Sequence, residues 1–568
     1  MFSSQALSVV RRRSEFALLR VIGLTRRQVL QQVLLEGGLL GAAGSLCGIG
    51  LGYLLAAATL RLFGADLGGG YFPGVQPSVV FAPAAASVFF ALGTAVALLG
   101  CAAPAWEAAA AHPAQALKSG GEDAAMSRLV RLWPPLALLA AGTVCARMPA
   151  VGGLPLFGYL AVALLLIGGI MLMPRLSVAL FSRLCRSGQP AMLGLALARL
   201  ANAPNQASIA LSGVVSSFSL MVAMAIMVSS FRVSVDEWLN RILPAPLYVS
   251  APSAGDVGRL TPAQQSELAA VPGVARASFL RATSILLSPD RPNVALLARD
   301  IDVLDPGQNI PILAGNINPE DATPVWVSEA MVDLYGYAVG KRIQLPLNQG
   351  LYPAVVAGVW RDYARQTGTI MMRLSDYQKL SGDLNVSDAA ISLEAGATPE
   401  QVITGLRKLP FGAALMFVQA AQLRSFSLNI FDRSFAITYL LELVAMVIGL
   451  FGVAASFSAQ TLARAKEFGM LRHLGVRRRE ILLTLTAEGS LLAAIGIGVG
   501  FILGWLISLI LVFVVNPQSF HWTMQMHMPW GLLSGVAALM LAAAALTALL
   551  AGRQAVSGSA LLAVREDW

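Results

Sequence analysis

Charged residues are scarce in this sequence. Asp, Glu, Lys and Arg make up 12% of the 568 residues and 56% are apolar, whereas a soluble globular chain carries about 25% charged residues. This deficit excludes a soluble enzyme, a disordered protein and a coiled coil. Histidine and cysteine are also rare, with four of each. Neither occurs in residues 231–433, which excludes Ser-His-Asp, Cys-His and zinc-dependent hydrolysis in that segment.

The few charges are distributed unevenly along the chain. Residues 231–430 contain 16 basic and 18 acidic residues, whereas the other 368 contain 24 basic and 13 acidic. We therefore predict an α-helical polytopic membrane protein with one inserted extracytoplasmic α+β domain. The basic excess of the membrane part indicates orientation against anionic lipid and not nucleic-acid binding.

Apolar segments long enough to cross a bilayer number about eight. A hydrocarbon core of about 30 Å requires about 20 helical residues. The expected spans are residues 32–60, 79–104, 131–147, 155–175, 207–230, 434–459, 485–514 and 529–551. Basic residues cluster on alternate sides of these spans, which by the positive-inside rule places both termini in the cytoplasm and residues 231–433 outside.

The chain contains an internal repeat. Residues 15–56 align without a gap to residues 467–508, with 18 of 42 positions identical. Shared hydrophobicity does not explain the aligned Glu, Arg and Gly residues, so the chain holds two copies of one unit. The matched residues include Glu15/Glu467, Phe16/Phe468, Leu19/Leu471, Arg20/Arg472, Gly23/Gly475, Gly44/Gly496, Gly48/Gly500 and Gly52/Gly504.

Each copy begins with a short amphipathic helix, here called foot 1 (residues 15–23) and foot 2 (residues 467–475). Its apolar residues recur at helical spacing, and the terminal glycine is typical of a helix C-cap. The following span carries glycines four residues apart, which favours close helix packing in lipid. We expect a cytoplasmic foot that docks a protein partner; the alternative is an interfacial helix lying on lipid.

The second copy has more sequence before its foot than the first. An elbow (192–206), a span, the external domain and another span precede foot 2, but only fourteen residues precede Glu15. We expect that the chain is a fragment, that its start was assigned late, or that another polypeptide supplies the rest.

The two feet carry a family resemblance. The segments RRRSEFALLRVIGLTRR and RAKEFGMLRHLGVRRRE resemble the FtsX/MacB-type permeases of ABC transporters, the mechanotransmission class. The closing segment 112–118 and the passage VWVSEAMVDLYGYAVGKRIQL (325–345) are also similar to this family. Within this family the sequence resembles the long ten-span subtype best, and by that resemblance we expect its first two spans and first external domain to be missing from this chain.

The resemblance implies a permease subunit of the bacterial inner membrane that is served by a separate ABC ATPase, in two copies, which would bind ATP and Mg. No nucleotide cofactor, metal or enzymatic activity is expected in this chain, because Gly340-Lys341-Arg342 lacks the spacing of a P-loop. The cargo would be a lipid, lipoprotein or other amphiphile, handled with or without a periplasmic partner. The coupling residues implied are Glu15, Phe16, Leu19, Arg20, Gly23, Glu467, Phe468, Leu471, Arg472 and Gly475.

This organisation divides the chain into six parts. They are a coupling segment (1–31), a two-span end of the first repeat (32–118), two linking spans with the elbow (119–206), the first span of the second repeat (207–230), the external domain (231–433) and a three-span core (434–568) with its coupling helix at 464–480.

Two further features leave other functions open. Glu442 is a carboxylate within a span, and such residues often serve as proton or ligand sites, so an ion-driven secondary transporter is an alternative. The loop His521–Met528 contains His and Met residues that could attract copper, although a membrane-interface loop anchored by Trp522 explains it more simply. A signalling scaffold that relays an ATPase signal outward is a third alternative.

Overall fold

The computed structural model describes residues 13–63, 79–110, 132–184, 191–202, 204–251, 259–302, 307, 310–315, 317, 322–347 and 350–557. Long apolar helices occupy both ends of the chain, and a mixed sheet lies between them, as predicted. Before the sheet come α1 (Arg13–Val21), α2 (Arg26–Phe63), α3 (Pro83–Ala110), α4 (Trp133–Cys145), α5 (Leu156–Leu184), α6 (Ala191–Asn202) and α7 (Pro204–Ile242).

The inserted domain is built on a ten-stranded sheet. Its strands are β1 (Leu247–Ser250), β2 (Val274–Ile285), β3 (Val294–Arg299), β4 (Ile312–Ala314), β5 (Thr323–Ser328), β6 (Arg342–Leu347), β7 (Gly350–Trp360), β8 (Thr369–Arg373), β9 (Asp388–Leu393) and β10 (Met416–Gln419). Its helices are α8 (Pro262–Ala269), α9 (Glu329–Tyr335), α10 (Leu374–Ser381) and α11 (Pro399–Arg407). The strand order is β10-β1-β9-β2-β3-β8-β5-β7-β4, with β6 on β7.

The α+β prediction for this domain is confirmed. The segments VALLAR (294–299) and RIQLPL (342–347) form β3 and β6, and Pro399–Arg407 form α11. The Thr398 hydroxyl caps α11 by accepting a hydrogen bond from the Gln401 amide (3.4 Å). Most neighbouring strands are antiparallel, but β5 and β7 run parallel, so their carboxyl ends lie at the same edge of the sheet.

After the sheet come α12 (Ala420–Ala463), α13 (Ala465–His473), α14 (Arg478–Ile510), a π-helical turn (Leu511–Val515), α15 (Asn516–Phe520) and α16 (Trp530–Ser557). Helices α7 and α12 continue past the expected domain boundaries at 231 and 433. Each projects from the spans toward the sheet by about three turns.

The number of full spans differs from the prediction of about eight. Among the described residues, six helices are long and apolar enough to cross a membrane alone, and α12 becomes a seventh if its 41° bend is accepted. The expected span at 131–147 coincides with α4, a shorter apolar helix of 13 residues, or about 20 Å. Two prolines lie in its first turn and packing against α5 holds it beside that longer span.

Glycine allows α14 to approach α7 closely. At Gly496, Gly500 and Gly504 an added Cβ would lie within 3.2 Å of α7, and at Gly504 it would meet the Ser219 carbonyl oxygen at 2.5 Å. The contacts advance along both helices in the same direction, so α7 and α14 run parallel. The glycine stripe of the second repeat therefore serves as a helix-packing surface.

We predict that Gly504→Ala destabilises the protein by about 1–3 kcal/mol, the usual cost of overpacking, because the carbonyl backbone of Ser219 cannot move aside. The matched control is Gly498→Ala, whose Cβ would enter open space. Thermal unfolding in detergent measures the difference. Equal unfolding midpoints for the two variants would contradict the packing.

Candidate functional site

The two feet have the same backbone design. In foot 2, Gly475 (φ +92°) follows the end of α13, and the Val476 amide donates to the Leu471 carbonyl at 3.0 Å. In foot 1, Gly23 has φ +120°, and the equivalent bond from Leu24 to Leu19 also measures 3.0 Å. A Cβ at either glycine would meet nothing within 4 Å. Glycine is therefore required there by the left-handed backbone and not by lack of space.

A buried phenylalanine fixes each foot to the span that follows it. Phe468 packs with Ile481 and Leu485 of α14, and its counterpart Phe16 packs with Val29 and Val33 of α2. Both rings are almost fully buried. They hold the foot in position and are not accessible to a docking partner.

An ionic joint links foot 2 to α14. The Arg464 guanidinium, just before α13, lies 2.7 Å from the Glu488 carboxylate and 3.3 Å from that of Glu467. It also lies over the Phe468 ring, 5.0 Å from the centroid. The Arg464 and Glu488 side chains are only 13% and 5% exposed, so the contact is shielded from water.

Sequence reasoning missed the joint, although the repeat contains its signal. With the offset of 452, Arg464 and Glu488 correspond to Arg12 and Glu36. Arg12 lies outside the described residues. The repeat therefore places an arginine and a glutamate at the two joint positions of both copies.

The exposed edge of each foot is apolar. Met470 and Leu474 of foot 2 are 64% and 82% exposed, and their counterparts Leu18 and Ile22 are 52% and 70% exposed. His473 and Val21 lie on the same edge and are also exposed. We call residues 18, 21 and 22 and residues 470, 473 and 474 the docking edges, since they repeat at helical spacing in both copies.

The predicted coupling residues are divided between the two sides of the feet. Glu15 and Glu467 are exposed, whereas Leu19, Arg20, Leu471 and Arg472 are half-buried. Arg20 donates a hydrogen bond to the carbonyl of Ala109 on α3 (3.3 Å), which ties foot 1 to the end of that span.

The two glycine stripes have different surroundings. Gly496, Gly500 and Gly504 contact α7, as described above. Gly44, Gly48 and Gly52 are exposed, and at Gly48 and Gly52 an added Cβ would meet nothing within 4 Å. The stripe of the first repeat thus has no comparable helix against it in the part of the chain that the structure describes.

The remaining candidates lie apart from the feet. Glu442 is half-buried on α12, and one of its carboxylate oxygens is buried without a hydrogen-bond partner in the described structure. Trp522 of the His521–Met528 loop is not a lipid anchor. It is 6% exposed and packs against Tyr363 of the inserted domain, with ring centroids 5.4 Å apart. The described residues contain no group of three or more His, Cys, Asp and Glu side chains suited to a metal ion.

Comparison with known proteins supports the same two segments. The family described as FtsX-like permease C-terminal matches residues 1–113 and 439–560, which contain both feet. An uncharacterized ABC transporter permease protein of Mycobacterium tuberculosis, Rv0987, is 28% identical over 548 residues, or 93% of this chain. The chain spans 63% of that relative's length. The resemblance to FtsX-like permeases is confirmed.

One solved structure was also compared. The extracellular domain of the noncanonic ABC-type transporter YknZ from Gram-positive bacteria aligns with 31% of this chain and 99% of its own length. The two are 14% identical, with a TM-score of 0.24.

We predict that Glu488→Gln lowers the stability of the protein by about 3 kcal/mol, because it leaves the Arg464 charge without its buried partner. Glu467→Gln removes the exposed partner of the same guanidinium and should cost less than about 1 kcal/mol. Unfolding midpoints measured in detergent test the contrast. A larger loss of stability in Glu467→Gln than in Glu488→Gln would contradict Glu488 as the main partner of Arg464.

Proposed function

We propose that this chain, a homologue of the FtsX-like ABC transporter permeases, couples ATP hydrolysis by a separate ATPase to movement of its spans and external domain. The observation that carries the proposal is the duplicated foot, rigidly joined to a span and offering the same apolar edge in both copies. Two equivalent edges suit two copies of one ATPase.

The feet suit force transfer because they cannot turn independently of the spans. Phe468 and the Arg464–Glu488 pair fix foot 2 against the start of α14. The following helix extends for 33 residues, or about 50 Å, and it packs on α7 through three glycines. A push on the docking edge is thus delivered to two packed spans together.

The proposed cargo is a lipid, a lipoprotein or another amphiphile, exported or extracted at the outer side of the bacterial inner membrane. The family resemblance supports this class. A non-transport scaffold would use the same feet, and the described geometry serves both functions. An ion-driven transporter is favoured only by Glu442, whose buried oxygen lacks a partner.

The proposed orientation places both feet and both termini in the cytoplasm and residues 231–433 outside. We predict that a cysteine at Leu351, on the β7 hairpin, reacts with a membrane-impermeant maleimide in intact cells. A cysteine at Met470 should react only after lysis, because the reagent cannot cross the bilayer. The background is a variant without Cys47, Cys101, Cys145 and Cys185. Labelling of Met470→Cys in intact cells would contradict the proposed orientation, because it would place foot 2 outside.

We predict that Met470→Asp/Leu474→Asp reduces the recovery of a co-purifying P-loop ATPase more than tenfold, and that Leu18→Asp/Ile22→Asp does the same. Each change replaces apolar surface that docking would bury, worth about 1.5–3 kcal/mol per side chain. Recovery is measured by quantitative mass spectrometry of the tagged chain purified from its own cells.

The matched control for the docking edges is Leu351→Asp, which alters an equally exposed leucine on the external domain. Its ATPase recovery should equal that of the wild type, with a monodisperse elution profile for every variant. Wild-type recovery in both foot variants would contradict docking and favour feet that lie on lipid.

A further inference from the structure

One threonine of the loop between the last two spans makes several hydrogen bonds to the external domain. The Thr523 hydroxyl donates to Glu329 Oε1 at 2.6 Å, and the Thr523 amide donates to Glu329 Oε2 at 3.2 Å. Arg361 Nη2 donates to the same hydroxyl at 2.8 Å. The Tyr363 hydroxyl donates to the Thr523 carbonyl at 3.0 Å. Every polar group of Thr523 is therefore bound by the domain, and we call these four residues the clasp.

The sheet topology explains why the domain residues of the clasp meet. Strands β5 and β7 are parallel neighbours, with Ser328 paired to Trp360. Glu329 and Arg361 are the next residues on each strand, so they emerge side by side at one sheet edge. Their carboxylate and guanidinium lie 3.6 Å apart.

The domain residues of the clasp are largely buried, whereas Thr523 itself is exposed. The Glu329 and Arg361 side chains are 14% and 15% exposed, and Tyr363 is buried. Burial raises the pKa of the Glu329 carboxyl, and the hydrogen bonds from Thr523 and the charge of Arg361 oppose that rise. Hydrogen bonds in which one partner is charged, as Glu329 and Arg361 are, are stronger than those between neutral groups.

Aromatic packing and the outer end of α7 reinforce the clasp. Trp522 lies 6.0 Å from Phe231 of α7 and 5.4 Å from Tyr363, between ring centroids. The Trp238 indole on α7 donates to the Arg361 carbonyl at 2.9 Å. The loop, the sheet edge and α7 thus form one packed unit.

The clasp joins the end of α14 to the external domain, together with the Trp522–Tyr363 packing and the 3.4 Å contact of His521 with Asp333. Helices α7 and α12 are joined to the domain covalently, because α7 leads into its first strand and α12 follows its last strand. Helix α14, which follows foot 2 directly, ends in the π-helical turn and reaches the domain through the loop that contains Thr523. A displacement of α14 relative to α12 would therefore pull on the clasp.

From this geometry we infer that Thr523, gripped by Glu329 and Arg361, is a positioning residue that transmits movement of α14 to the external domain. The inference rests on the proposed function, because the movement is that driven by the ATPase at foot 2. The alternative is a contact that merely holds the loop in place.

The experiment uses the full chain with its ATPase in nanodiscs and compares Thr523→Val with Thr523→Ser. Valine has nearly the same shape as threonine but removes the hydroxyl, whereas serine keeps it. One spin-label pair, Leu441→Cys and Phe513→Cys, reports movement of α14 relative to α12. A second pair, Leu441→Cys and Leu384→Cys, reports movement of the domain. All three positions are exposed. Distances are measured before and after addition of MgATP and vanadate.

In the wild type and in Thr523→Ser, both pairs should change distance. In Thr523→Val, the first pair should change as in the wild type, while the change of the second pair should fall at least threefold. A full change of the second pair in Thr523→Val would overturn the inference and leave the proposed function intact. An unchanged first pair in the wild type would overturn both.

Hydrogen exchange without nucleotide checks the contact independently. Exchange of the Thr523 amide should accelerate about tenfold in Thr523→Val and remain near wild type in Thr523→Ser, since one bond to a charged group corresponds to about that factor. Equal exchange in the two variants would contradict the hydrogen bonds of the Thr523 hydroxyl.

Discussion

The fixed joint between each foot and the span behind it is the constraint on which the rest of the structure depends. Arg464 lies between two carboxylates and over an aromatic ring. Removing the charges of Arg464 and Glu488 from water costs free energy. A loosely held amphipathic helix would not require such a buried pair. The cost is understandable if the angle between foot and span must be kept. Phe16 and Phe468 perform the same task in both copies with apolar burial.

The two copies share the backbone design of their feet but differ in their surroundings. In the second copy, α14 lies among α5, α7 and α16 and buries its glycines against α7. In the first copy, α2 packs chiefly against α3 among the described elements. The matching glycine stripes of the two copies therefore have different packing environments. The glycine spacing alone does not predict whether another helix packs against the stripe.

Much of this architecture could be predicted because it depends on local signals. The apolar run of β3, the alternation of β6, the Thr398 cap of α11 and the amphipathic pattern of each foot all depend on residues within a few positions of one another. Two kinds of feature could not be predicted. The length of α4 is set by prolines and by packing on α5, which a hydropathy window does not register. The burial of Phe468 depends on α14 folding back over the foot, so the amphipathic pattern alone could not distinguish the face that packs inward from the docking edge.

The π-helical turn at Leu511–Val515 sets the direction, around the helix axis, in which the residues after α14 face. A π-helical turn accommodates one residue more than an α-helical turn, and each residue of an α-helix advances the azimuth by about 100°. Removal of a single residue there would rotate everything beyond it by roughly that angle. Thr523 would then point away from Glu329 although no residue of the sheet edge had changed. The number of residues in this turn therefore determines whether Thr523 faces Glu329, and with it whether α14 is joined to the external domain.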